Sequence, residues 1–115
     1  MPIPSVPNYC ATKAALHSLA WTLRAQLAAD PASKHIRLRE ILPPAVRTEL
    51  HAGRTDVDPN IGIPLAACIE EAWTGLQGDQ DEIAISVIRD RFGNFEDGKR
   101  SVFDNIARAW KDARL

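Results

Sequence analysis

Tyr9 and Lys13 stand one helical turn apart in the stretch Pro7-Asn8-Tyr9-Cys10-Ala11-Thr12-Lys13-Ala14-Ala15. On a helix, positions i and i+4 lie on one face. An ammonium held beside a phenol stabilises the phenolate, so such a pair can give or take a proton near neutral pH. That is general acid–base chemistry. The spacing alone is common. Read without its surroundings, Tyr9 also suits an ordinary first-turn aromatic, and Lys13 a solvated helix lysine.

A helix must hold the pair. Pro2, Pro4 and Pro7 alternate through the first residues and predict an extended lead-in, with Pro7 suited to a first helical turn, where its missing N–H costs nothing. The helix should run from about Asn8 to Ala29 and stop at Asp30-Pro31, because seven alanines supply propensity and Leu16, Leu19, Leu23 and Leu27 form one apolar stripe. Trp21 lies off that stripe, which calls for a second packed face. Ile36 to Leu42 reads as a strand that Glu40 interrupts. A Gly-, Asp- and Pro-rich loop follows from Thr48 to Pro64. Pro64 then opens a helix with the stripe Leu65, Cys68, Ile69, Ala72, Trp73 and Leu76, ended by Gly78-Asp79. Glu82 to Ile88 reads as a second strand with Ile83, Ile85 and Val87 on one face. Gly93-Asn94 to Gly98 reads as a turn, and Ser101 to Lys111 as a last helix through Val102, Phe103, Ile106 and Trp110.

Helix, strand, helix, strand, helix is the alternation of an α/β layer. Parallel sheets are normally wider than two strands and covered on both faces. The expectation is therefore a part of a larger α/β fold rather than a complete one.

The stretch from Tyr9 to Leu16 resembles the active-site helix of the short-chain dehydrogenase/reductase family, which opens on Tyr-x-x-[Ser/Thr]-Lys-Ala-[Ala/Gly]. In that family a parallel strand follows and ends in Pro-Gly-x-[Val/Ile]-x-Thr. Here Ile36 to Leu42 runs into Pro43-Pro44-Ala45-Val46-Arg47-Thr48. Two motifs in the right order and separation are far more specific than either alone. The resemblance implies that residues 1–115 form the C-terminal portion of a Rossmann-like, doubly wound parallel sheet that binds NAD or NADP. It implies hydride transfer between the nicotinamide and a small carbonyl or alcohol substrate. Tyr9 would take the family's proton-donor role and also touch the cofactor, and Lys13 would be the lysine that assists it and bonds the nicotinamide ribose. Pro43, Val46 and Thr48 match the loop that cradles the nicotinamide amide, with backbone groups near Val46 and the Thr48 hydroxyl as partners. Pro44 departs from the pattern, which usually has glycine there; proline has no N–H and a fixed φ.

Three elements of the family pattern are missing: the Gly-rich pyrophosphate turn, the upstream catalytic serine or threonine, and an asparagine on the preceding helix. Ser5 stands too close to Tyr9 to take the serine role. The expectation is that the chain alone is inactive. The alternative is a non-enzymatic module that pairs with a full-length relative through the Tyr9–Ala29 helix, since the family's tyrosine helix commonly packs on its copy in another subunit.

Composition limits the rest. The 115 residues are 45% hydrophobic and 25% charged with a net charge of −1, which gives no basic excess for nucleic acid. Cys10 and Cys68 form no ligand pair and read as free thiols. No signal peptide and no apolar run of membrane-spanning length is visible, so the default expectation is the cytoplasm. His17, His35 and His51 lie far apart with no carboxylate or cysteine at ligand spacing, which speaks against a metal site. Glu70-Glu71 and Asp79 to Glu82 read as a solvated face and turn, and Arg89-Asp90-Arg91 as local ion pairs.

Overall fold

Proline sets the start of the first helix. In the computed structural model, which describes residues 3–56, 58, 60–93 and 96–113, α1 spans Pro7–Ala29 with proline in its first turn. Met1, Pro2 and Asn94, which entered the sequence expectations, lie outside the described residues, as does anything about the side chains of His51 and Trp110. The lead-in is a turn rather than an extended segment. Val6 N–H donates to Ile3 C=O at 3.1 Å across Pro4-Ser5, where proline's fixed φ suits the second position of a turn. Cys10 Sγ accepts from Ile3 N–H at 3.0 Å and ties this turn to the helix. At the other end Asp30 caps α1, donating its N–H to Gln26 C=O and accepting from Ala32 N–H at 3.1 Å.

Both expected strands are real but shorter than their apolar patterns. β1 spans Glu40–Leu42; then come β2, Val46–Arg47, a 3₁₀ turn at Glu49–His51, β3, Ile63–Pro64, α2, Leu65–Gln77, β4, Glu82–Ala84, α3, Val87–Phe92, and α4, Asp97–Ala113. β1 and β4 pair in parallel, with Glu40 opposite Glu82, Ile41 opposite Ile83 and Leu42 opposite Ala84. Upstream of Glu40 the ladder has no partner, because the chain before Glu82 is the turn out of α2. Arg37 instead reaches that turn with its side chain, bonding Asp81 at 2.9 Å and Asp79 at 3.2 Å, and Arg39 bonds the Leu76 carbonyl. Downstream, β4 ends because Ser86 takes φ +51°, a region costly for a residue with a Cβ. Its N–H donates to Glu71 Oε2 at 2.9 Å, and Glu71 also pairs Arg89 at 3.1 Å. Val87 and Ile88 therefore open a helix instead of extending the strand, and Glu71 is a bracing group rather than part of a solvated face.

A second parallel ladder joins β2 to β3, with Val46 opposite Ile63 and Arg47 opposite Pro64. The sequence reading placed this region in a loop. Two-residue strands leave no periodicity to read. α4 begins four residues earlier than expected, at Asp97, whose carboxylate suits a first turn.

Helices cover both faces of the β1–β4 ladder. Glu40 and Glu82 face α1, whereas Ile83, on the alternate face, meets α2. Ile83 and Ile85 are buried, Ile85 completely, together with Ala20 of α1. Gly75 permits the α2 approach: a Cβ there would overlap Ile83 Cγ2 and sit 3.1 Å from its Cγ1. Gly75→Ala would gain helix propensity yet overpack this contact, for a net loss of about 1–2 kcal/mol. A urea melt of the variant checks this, and an unchanged or raised midpoint would show that α2 does not sit so close to β4.

The fold is nonetheless open. Its surface is 9005 Å², against roughly 6,200 Å² for a closed globule of this mass. The radius of gyration is 16.9 Å, against about 13 Å for a compact chain of this length. Leu16 and Leu19 on α1, Leu65, Ile69 and Trp73 on α2, and Val102 and Ile106 on α4 are all exposed. The architecture is mixed α/β, with short parallel strands between helices. Among the described residues no helix is long and apolar enough to cross a membrane.

Candidate active site

Tyr9 and Lys13 lie in the first two turns of α1, on one face as the spacing requires. Lys13 Nζ sits over the Tyr9 ring, 5.5 Å from its centroid, and Tyr9 is 57% exposed. The ammonium thus meets the π face of the phenol in a cation–π arrangement. Thr12 turns its hydroxyl back onto the Tyr9 carbonyl at 2.8 Å, so it braces the helix start.

Contacts further along α1 fix where this end of the helix points. Arg24 Nε donates to Leu38 C=O at 3.0 Å, and His17 Nδ1 lies 2.8 Å from Glu40 Oε2. Moving toward the amino end of α1 therefore moves toward the carboxyl end of β1: the two run antiparallel. Tyr9 lies eight residues before His17, about 12 Å along a helix. That equals between three and four strand residues, at about 3.3 Å each. The Tyr9 end of α1 thereby lies toward the carboxyl end of β1, from which Pro43-Pro44 lead away.

The segment at that end is built from the other motif residues. Pro43 and Pro44 carry the chain out of β1. Ile63 N–H donates to Ala45 C=O at 3.0 Å and starts the β2–β3 ladder. In a parallel ladder with this register, the flanking residues make the bonds, and Val46 directs its own N–H and C=O to the opposite edge, away from β3. Thr48 Oγ1 accepts from Leu50 N–H at 3.3 Å and caps the 3₁₀ turn, which leaves its hydroxyl hydrogen free to donate elsewhere. An open depression of about 710 Å³ lies here, lined by Arg47, Thr48, Glu49, Leu50 and Leu65. The structure joins Tyr9 to Lys13 directly; it puts Pro43, Val46 and Thr48 on a separate segment at the same end of the sheet.

At the opposite end, the sequence reading missed a polar cluster. Glu40 and Glu82 stand side by side in the ladder, where two like charges would repel. Arg24 lies between them, 2.9 Å from Glu82 Oε1 and 3.6 Å from Glu40 Oε2. Trp21 Nε1 donates to Glu82 Oε1 and Arg100 of α4 pairs Glu82 Oε2. The Trp21 ring also meets Phe103 at 5.5 Å and Arg100 at 5.2 Å, which is the second packed face that its off-stripe position called for. The Glu82 side chain is only 12% exposed, so it is not part of a solvated turn. Burial pushes its carboxyl up, but the Arg100 hydrogen bond and charge, the Trp21 N–H and the Arg24 charge outweigh burial and hold it below its ordinary value.

His17, Glu40 and Glu82 also bring three potential metal-ligand atoms within 4.8 Å of one another. The sequence reading found no carboxylate at ligand spacing from His17, because Glu40 and Glu82 arrive only through folding. The carboxylates already accept from Arg24, Arg100, Trp21 and His17, whose Nδ1 must carry the hydrogen facing a carboxylate. Two guanidinium groups within the cluster oppose a cation, so it reads as a brace. The signals that could have found it are Glu40, which breaks an apolar run, and Trp21.

Comparison with known proteins places an oxidoreductase among the chain's relatives. The chain is 32% identical over 107 residues to the uncharacterized oxidoreductase DltE of Bacillus subtilis (strain 168), an alignment covering 91% of this chain and 39% of that protein. The chain thus spans about two fifths of the length of the curated relative it matches. No protein-family model and no solved structure matches it.

Proposed function

We propose that this chain is the C-terminal portion of a short-chain, NAD(P)-dependent oxidoreductase that interconverts a small carbonyl compound and its alcohol. The observation that carries the reading is the Val46 edge turned away from β3, to which no backbone bond is made among the described residues. Its N–H and C=O form one donor and one acceptor on the side away from β3, the complement of a carboxamide's acceptor and donor. Thr48, two residues on, has a hydroxyl hydrogen to donate. The residues present thus fit the amide end of a nicotinamide, which when bound would supply or accept the hydride. Tyr9, on the end of α1 that points toward the carboxyl end of β1, would hold the proton that the substrate oxygen takes up as hydride arrives, and would remove it in the oxidative direction. Lys13, whose ammonium sits over the Tyr9 ring, would supply positive charge near the phenol and bond the ribose. Pro44 costs the cradle one N–H, and the Val46 edge does not depend on it.

The open surface supports the reading as well. Exposed stripes on α1, α2 and α4 and an area well above that of a closed globule suit a layer that the rest of a longer protein covers. The oxidoreductase relative, more than twice as long as the aligned segment, is consistent with this.

The test is oxidation of NADH and NADPH by the full natural chain that contains these residues, followed at 340 nm against a panel of aldehydes and ketones. Turnover with at least one carbonyl compound is expected. Binding of neither dinucleotide would remove the reading.

A further inference from the structure

The Val46 edge is held in place by very little. Pro43 and Pro44 have no N–H to give, and among the described residues the one backbone hydrogen bond made by residues 43–45 is that from Ile63 N–H to Ala45 C=O at 3.0 Å. Leu42, the last residue of β1, spends its carbonyl on Ile85 N–H at 3.1 Å. Past that point the segment is positioned from the side, by β3.

Gly62 is what lets β3 come that close. Its φ is +92°, in the left-handed region that favours glycine. A Cβ there would overlap the Ala45 carbonyl and lie 2.9 Å from Val46 N. These are backbone atoms, which cannot swing aside as a side chain would. Gly53 in the same loop offers a comparison: its φ is +80°, and a Cβ there would meet nothing within 4 Å.

We propose that Gly62 is a positioning residue for the nicotinamide end of the cofactor: it seats Ala45 against β3 and so aims the Val46 N–H and C=O outward. This rests on the proposed oxidoreductase reading. A side chain at Gly62 would push Ala45 and Val46 off β3 and turn that donor–acceptor pair. Contacts made to the remainder of the dinucleotide would be untouched.

The test uses the full natural chain and two pairs of probes, NADH against ADP-ribose and NADPH against 2′-phospho-ADP-ribose. The shorter member of each pair lacks the nicotinamide. Gly62→Ala is expected to weaken binding of the whole dinucleotide roughly tenfold while leaving the shorter probe unchanged. Gly53→Ala, which meets only the backbone strain, should change neither. Equal weakening of both probes by Gly62→Ala, or wild-type affinity for both in a folded variant, would overturn the proposal. Failure of the wild-type protein to bind either whole dinucleotide would instead overturn the oxidoreductase reading. Should Gly62→Ala not fold, hydrogen exchange in the wild-type protein decides. The Ile63 amide should exchange several-fold more slowly with the whole dinucleotide than with the shorter probe, and equal rates would overturn the proposal.

Discussion

Replacing Tyr9 with phenylalanine in the full natural chain is expected to lower kcat for carbonyl reduction about 10³-fold, with little change in dinucleotide affinity. The substitution removes one oxygen and its proton. It keeps the ring over which Lys13 Nζ sits at 5.5 Å, and it leaves the Thr12 bond to the residue-9 carbonyl intact. Helix geometry at the start of α1 is therefore preserved, and the loss would report the proton itself. Lys13→Met should lower kcat as well, and unlike Tyr9→Phe should also weaken dinucleotide binding, since Lys13 is proposed to bond the ribose. Steady-state turnover with NADH and NADPH, paired with direct binding, separates the two effects. Undiminished turnover in Tyr9→Phe would remove Tyr9 from the chemistry.

The largest effect of charge on stability is expected at the other end of the sheet. Glu82→Gln should cost about 1–2 kcal/mol, because Arg100 loses its carboxylate and Arg24 keeps only its longer pair with Glu40. Arg37→Gln, by contrast, removes two exposed ion pairs and should leave the urea midpoint nearly unchanged. The pH dependence follows from the direction of the Glu82 shift. Its folded carboxyl lies below the ordinary value, so the folded state favours the ionised form. That contribution is complete above the unfolded carboxylate value of about 4.3 and is lost as pH falls through the folded one. Urea melts of wild type and Glu82→Gln should therefore differ fully at neutral pH and converge in acid below about pH 4. A constant difference across that range would show that Glu82 carries no ionised stabilisation.

The two helices α1 and α2 were the legible part of this fold, whereas α3 read as the end of a strand. α1 and α2 follow their leucine and alanine patterns to within a residue of Pro7, Ala29, Leu65 and Gln77, since long amphipathic periods, proline starts and Gly or Asp stops are local signals. The strands were legible as apolar runs but not in extent. A ladder ends where its partner turns away, and for β1 the partner's turn lies more than forty residues later in the chain. Likewise, Ser86 ends β4 through a backbone angle supported by Glu71, from the preceding helix. The relation to an oxidoreductase was legible from the motif around Tyr9 and the run from Pro43 to Thr48. The polar cluster was not, because Glu40, Glu82 and Arg100 become neighbours only once both strands and α4 are in place.

The antiparallel run of α1 along β1 divides labour along the strand axis. Charged bracing gathers at the amino ends of β1 and β4, and the groups proposed for binding lie past the carboxyl end of β1. The two are separated by the length of the strands themselves. An engineer could thus rework the Arg24–Glu82–Arg100 end for heat or acid tolerance while the loop beyond Pro43 is varied in the same library for ligand preference. Mutations at sites this far apart, with no shared partner, combine nearly additively.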